Sequence, residues 1–475
     1  MTTTTPAATA PDPDRAPPGL LFGHPRGLGA LAATEFWERF SFNGMQALLI
    51  LYMVEQLLLP GHVERVIGFA GFRAAIENVT GPLSSQALGV QIFGLYIGLA
   101  AFTPIIGGAL GDRVFGRRVG VTLGALLMTA GHLCMAFDQS FLLALLLLVL
   151  GTGCFGANLT PQVGDLYDRT DRRRAVAFQV YGAAVNASGF LAPVIMGGMS
   201  QARGYHAGFA IAAVGMVIGL ATYLWGQRML PSQARRPAGA PHPRLSKAQW
   251  QGVLLLVALV PLASTFWVSQ SQVWNTYNLW VRDHLELMIG GFKVPVPWLQ
   301  ALDSLAPFVT LPPMLWYWGW QARRGREPDE FGKVAIGCFI FAAATLWLGA
   351  GQFVTDANGR TPFLWAVVFH VVSNLGWLYF VPTFKSLLSR NAPASVTGTV
   401  IALSAVAVSI GGVVSGRLGG FYEALPTSVF WAMHAGVTAV GGLLFLAVGA
   451  TFRRRLLQAA AEDEVAVGEI RGRYT

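Results

Sequence analysis

Apolar residues gather into twelve runs separated by short polar segments. They lie near 28–54, 87–111, 118–137, 140–163, 174–200, 206–228, 249–280, 297–320, 331–352, 361–388, 394–420 and 427–452. A membrane-spanning helix needs about 20 mostly apolar residues, so each run is long enough to cross a bilayer. Residues 55–86 form a long connection between the first two runs. Within it, Val63 to Ile76 carries a mixed helical pattern that predicts a helix lying on the membrane surface. Residues 229–248 interleave Pro231, Pro237, Pro241 and Pro243 with Arg235, Arg236, Arg244 and Lys247, and form the clearest linker. They divide the chain into a group of six helices over 28–228 and another over 249–452. The flanks, 1–27 and 453–475, are expected to be cytoplasmic tails, and the fold to be an all-α membrane protein with twelve spans.

Composition agrees with this pattern. Charged residues make up 12% of the 475 and hydrophobic residues 53%, with a mean hydropathy of +0.51. A soluble protein would carry about twice that charged fraction. The net charge of +9 alone could point to nucleic acid. Its distribution points to a bilayer instead. With the N-terminus inside, 25 of the 33 Lys and Arg fall in cytoplasmic segments. Six fall outside: Arg65, Arg73, Arg203, Arg282, Lys293 and Arg360. That bias is the one cytoplasmic loops carry, and it leaves no role for a nucleic-acid partner. Residues 1–20 are rich in Thr, Pro and Ala and lack the basic start and apolar core of a signal peptide. Cys134, Cys154 and Cys338 sit inside apolar runs without metal-ligand spacing. The sequence holds no nucleophile–base pattern, metal cluster or phosphate loop, so neither an enzyme nor a cofactor is expected.

The exceptions to apolarity carry the chemistry. Glu35, Glu38 and Arg39 stand in the first run at i, i+3 and i+4, on one helix face. An ionisable side chain at that depth is costly and usually faces a protein interior or a water-filled cavity. A cation held between two anions is far cheaper to bury than any of the three alone. The cluster is therefore either a structural tie to neighbouring helices or the wall of a solute and proton path. After the second run comes Gly107-Gly108-Ala109-Leu110-Gly111-Asp112-Arg113-Val114-Phe115-Gly116-Arg117-Arg118. Its glycines allow close helix approach, and Gly108, Asp112, Arg113, Gly116 and Arg117 are read as a conformational loop.

That GGxxxDRxxGRR spacing resembles the loop between helices 2 and 3 of the major facilitator superfamily, in which two six-helix bundles rock about a midplane site. The likeness narrows with Glu35-x-x-Glu38-Arg39-Phe40 and Gly44. This stretch is similar to the helix 1 signature ExxERFxYYG of the proton-dependent oligopeptide transporter (POT, or PTR) family. Ile92 to Tyr96 with Thr103-Pro104, Gly151 to Phe155 with Asn158, Val163 to Tyr167, Phe178 to Asn186, Phe266-Trp267 with Gln272, and Trp298 to Gln300 extend the resemblance. It implies a bacterial inner-membrane protein, working as a monomer, that moves a small solute with protons. The solute site implied by position comprises Arg39, Phe42, Asn43, Gln46, Tyr96, Asn158, Asn186, Trp267, Ser271, Asp303 and Trp377. The implied proton-coupling groups are Glu35, Glu38, Arg39 and Asp303.

The sequence also departs from the family. The signature tyrosines are Phe42 and Asn43, and the following arginine is Gln46. Gly156 replaces a helix 4 lysine, while Ser271 and Trp377 replace glutamates of helices 7 and 10. Asp303, aligned with a helix 8 asparagine, is read either as the replacement for the missing helix 7 carboxylate or as a cap at the start of its own helix. Trp267, Trp274, Tyr277, Trp280, Trp298, Trp377 and Tyr379 make the second half aromatic. Of the histidines in apolar runs, His132, His370 and His434, His370 is the one read as a proton relay. The expected function is secondary transport of a peptide-like or related small organic solute by alternating access, with altered proton coupling. The alternatives are an exporter or facilitator of a specialised metabolite, and a non-transporting sensor.

Overall fold

The computed structural model describes residues 20–21, 23–168, 170–231, 245–393 and 395–472. The first bundle holds α1 (Arg26–Tyr52), α3 (Ser85–Leu110), α4 (Arg117–Cys134), α5 (Phe141–Gly164), α6 (Arg173–Arg203) and α7 (Tyr205–Gly226). Between α1 and α3 lies the short α2 (Phe69–Thr80), set between Gly68 and Gly81, both at φ +79°. It is the helix that the mixed pattern of Val63 to Ile76 anticipated, displaced a few residues along the chain. The second bundle holds α8 (Lys247–Ala258), α9 (Val260–Gln272), α10 (Thr276–His284), α11 (Ala301–Arg323), α12 (Glu330–Ala350), α13 (Phe363–Asn391), α14 (Thr397–Gly419) and α15 (Thr427–Gly472). Of the linker expected at 229–248, residues 232–244 lie outside the described residues, as do 1–19 and 473–475 of the expected tails.

Nine stretches among the described residues are long and apolar enough to span a membrane. α1, α4 and α11 complete the twelve spans, and α1 is less apolar because of its three mid-helix charges. The seventh run, expected as one helix, is instead α8, α9 and α10. It breaks at Val273–Asn275, where Gln300 donates its Nε2 to the freed Val273 carbonyl at 2.6 Å. Unwound backbone at membrane depth needs such a partner, because lipid offers none. The tail expected from 453 begins inside α15, which continues to Gly472. The strong helix formers of Leu456 to Ala461 favour that continuation.

The bundles meet where side chains are smallest. On α3, Gly94 and Gly98 face Gly412 and Gly416 of α14. A Cβ on Gly94 would stand 2.5 Å from the Gly416 Cα, and one on Gly98 would stand 2.9 Å from the Ser409 carbonyl. Such small-residue stripes let membrane helices approach backbone to backbone. α6 meets α11 through Gly189 against Ser304, and the Trp298 Nε1 donates to the Val194 carbonyl at 2.9 Å. Among the described residues, the polar bonds that cross between bundles all lie toward one end, opposite the linker. They join Arg282 to Glu55 at 3.6 Å, Arg282 to Gln86, Ser84 to Glu423, Asn275 to the Val90 carbonyl and Gln201 to the Lys293 carbonyl. At the linker end, Thr160 of α5, Gln179 of α6 and Thr399 of α14 are exposed. The bundles are thus tied by polar bonds at the loop end, and among the described residues no such bond joins them at the linker end.

Candidate functional site

Arg39 is the fourteenth of the 27 residues of α1, at the middle of that helix. One helical turn brings Glu35 beneath it, and α1 packs on both α6 and α7. The guanidinium donates to both oxygens of Glu38, with Nη2 to Oε1 at 2.9 Å, and its Nε stands 3.3 Å from Glu35 Oε1. The second Glu35 oxygen accepts from the Tyr181 hydroxyl at 2.6 Å, and that hydroxyl lies 3.2 Å from Thr160 Oγ1. Glu38 is wholly buried, while the Arg39 side chain keeps 23% of its surface. The pair therefore forms a wall: Glu38 is sealed behind, and the guanidinium shows through over the Phe42 ring at 5.1 Å. Phe42 in turn stacks on Tyr96, with centroids 6.4 Å apart.

Gly156 lies one turn from Thr160 on α5, and a Cβ there would meet open space. Asn43 lies near Gly189 of α6, at the junction with α11, and Asn186 is half-buried on the neighbouring turn. Gln46 is buried in the next turn of α1. Asn158 is placed differently. It is fully buried, and its Nδ2 donates to the Gly107 carbonyl at 3.1 Å and to the Cys154 carbonyl at 2.8 Å. A Cβ on Gly111 or Gly120 would collide with it, so it ties α5 to α3 and α4 rather than facing the gap between bundles.

In the second bundle, Asp303 is the third residue of α11. Its Oδ1 pairs with His370 Nδ1 of α13 at 2.6 Å, and His370 Nε2 lies 2.9 Å from the Tyr277 hydroxyl of α10. One neutral arrangement satisfies all three: Tyr277 donates to Nε2, and Nδ1–H donates to the carboxylate. Two turns inward, Thr310 donates to Asn374 Oδ1 at 2.8 Å, so a polar seam joins α11 to α13. Below it Trp377 packs against the cluster of Met314, Leu378 and Tyr379. Ser271 is buried at the end of α9. Trp267 is half-buried against Gly411 of α14. Sequence alone singled out His370 but not its Tyr277 and Asp303 partners as a unit. Tyr181 carried no signal of its own, since nothing in the sequence places its hydroxyl on Glu35.

The loop between α3 and α4 is built around Arg117. Its Nε donates to Asp112 at 2.9 Å and its Nη1 to Asp165, beyond α5, at 3.1 Å. Gly116 turns the chain at φ +85°, Gly108 closes on Ala157, and Arg113 is exposed.

Comparison with known proteins follows the same lines. The sequence profile of the POT family matches residues 118–250 and 242–434. The chain is 27% identical to an uncharacterized transporter of Bacillus subtilis (strain 168), over 90% of this chain and 94% of that one. It is 26% identical to a di-/tripeptide transporter of Lactococcus lactis subsp. cremoris, over 90% and 96%. A crystal structure of a peptide transporter of this family with sulfate superposes with a TM-score of 0.79 at 24% identity, covering 92% of this chain and 97% of that one. A family member solved with 5-aminolevulinic acid gives 0.76 at 22% identity, covering 92% and 98%.

Proposed function

The chain belongs to the POT family of membrane transporters, and from that premise we propose that it moves a peptide-like or related small organic solute by alternating access with proton symport. The observation that carries this reading is the Glu35–Glu38–Arg39 cluster at mid-membrane, with its guanidinium open toward the parting between two bundles. Buried charge at that depth serves solute and proton paths. The polar bonds between the bundles gather at one end, which fits one state of a rocking cycle.

In this reading Glu35, Glu38, Arg39 and Asp303 carry the coupling charge. Arg39, Phe42, Asn43, Gln46, Tyr96, Asn186, Trp267, Ser271, Asp303 and Trp377 line the solute path. Asn158 supports that wall from behind. Gly108, Asp112, Arg113, Gly116 and Arg117 form the loop that moves with the cycle. The linker end faces the cytoplasm of a bacterial cell, and the chain acts as a monomer.

The test is uptake of labelled dipeptides and their derivatives into proteoliposomes, with and without an inward proton gradient. Accumulation driven by the gradient is the expected result. Exchange without accumulation would make the chain a facilitator. Saturable binding without flux would make it a sensor and end the transport reading.

A further inference from the structure

The charges along the solute path are unbalanced. Of the 33 Lys and Arg, Arg39 alone lies in the middle of a described span. Its guanidinium is already taken by two carboxylates, with both Glu38 oxygens and Glu35 within 3.3 Å or less. The cluster therefore has a formal charge of −1 and no spare cation. Arg417 lies two residues from the loop end of α14, and Lys385 six residues from the linker end of α13. Gly156, beside the cluster, contributes only open space.

On the opposite wall, His370 engages only one oxygen of Asp303. The Asp303 side chain keeps 21% of its surface, and its second carboxylate oxygen has no partner among the described residues. The titratable groups around it are His370 of α13 and Tyr277 of α10. Asp303 thus presents a free acceptor edge, and Arg39, the mid-helix cation among the described spans, is already held by Glu35 and Glu38.

Distance decides what this arrangement accepts. Lys385 is 15 residues along α13 from His370, about 22 Å at 1.5 Å per residue. An extended dipeptide spans at most about 7 Å and a tripeptide about 10 Å. A peptide whose amine rests on Asp303 therefore cannot bring its carboxylate to Lys385. Its far end reaches the level of Trp377, seven residues and about 10 Å inward of His370. There it meets the aromatic side chains of Trp377 and Tyr379.

Resting on the reading of the chain as a solute transporter, we infer that its cargo is an amphiphilic amine without a free carboxylate. The ammonium binds Asp303, and an uncharged, largely apolar or aromatic remainder extends toward Trp377. A zwitterionic peptide would bring a carboxylate for which no free cation is in reach, an unpaired charge that costs binding energy as the path closes on it. Specificity of this kind comes from rejecting the wrong charge as much as from binding the right one.

The experiment compares proteoliposome uptake of phenylalanyl-alanine, its C-terminal amide and phenethylamine, by the wild-type chain and by Gly156→Lys. The wild type is expected to take up the amide and the amine at least tenfold faster than the free acid. Gly156→Lys, placing an ammonium in the open space beside the cluster, is expected to narrow or reverse that ratio. Uptake of the free acid equal to or faster than that of the amide would overturn the inference and leave the transport reading standing. An unchanged ratio in Gly156→Lys would overturn its electrostatic basis. Absence of flux for all three would remove the transport reading itself.

Discussion

Replacing Gly94 with alanine targets the seam on which closure of the loop end depends. The added Cβ would stand 2.5 Å from the Gly416 Cα and 2.6 Å from the Gly412 carbonyl oxygen. Carbon atoms in good contact sit about 3.5–4.0 Å apart, so α3 and α14 must separate locally by about 1 Å. These are backbone atoms, which cannot swing aside as a side chain does. Overpacking of this kind costs about 1–3 kcal/mol. In a rocking cycle only the state with the seam shut bears that cost, because the methyl is free once the bundles part there. A difference of that size shifts the ratio of the two states by about 5- to 150-fold. The assay is labelling of Ser304→Cys, in a background lacking Cys134, Cys154 and Cys338, by a membrane-impermeant maleimide. Ser304 is pressed against Gly189 of the other bundle and reacts slowly when that face is shut. Gly94→Ala is expected to raise the labelling rate at least fivefold without loss of folded protein. An unchanged rate would refute the idea that the glycine seam sets the balance.

Three further outcomes follow from the geometry. Arg39→Met leaves Glu35 and Glu38 buried without their cation. Breaking a buried pair from one side costs about 3–5 kcal/mol, read as a large drop in unfolding temperature in detergent, with Glu35→Gln in the same chain recovering part of it. Asp303→Asn keeps a hydrogen-bonding group near His370 but removes the negative charge, and is expected to abolish uptake of an amine-bearing solute while leaving the unfolding temperature nearly unchanged; unaltered uptake would discard Asp303 as the amine partner. Arg282→Gln removes the ion pairs to Asp283 and Glu55 at the loop end. It is expected to raise accessibility of Ser304→Cys severalfold, by the same labelling assay.

Much of this was legible in the pattern of apolar runs. Period and length fix helices in lipid more firmly than in water, because every backbone amide must be satisfied within its own segment. The twelve spans, and a short helix between the first two, followed from that pattern. The break between α9 and α10 did not, because the apolar run continues through it. What holds the break open is Gln300, a side chain from the next span. The charged cluster was readable because Glu35, Glu38 and Arg39 are neighbours along one helix. The Asp303–His370–Tyr277 unit was not, since its members come from three helices that only tertiary packing brings together. Asn158 shows the converse: a polar residue in a span can satisfy backbone carbonyls of its neighbours and face no cavity at all.

The account requires that two bundles exchange which end is open around the mid-membrane charges. Spin labels report this directly when one pair sits at the linker end, on Thr160 of α5 and Thr399 of α14, and another at the loop end, on Gln86 and Glu423. The account predicts two populations in which the linker-end distance shortens as the loop-end distance lengthens, with cargo and pH shifting their balance. A single distribution at both ends, unmoved by any amine, peptide or proton gradient, would contradict it.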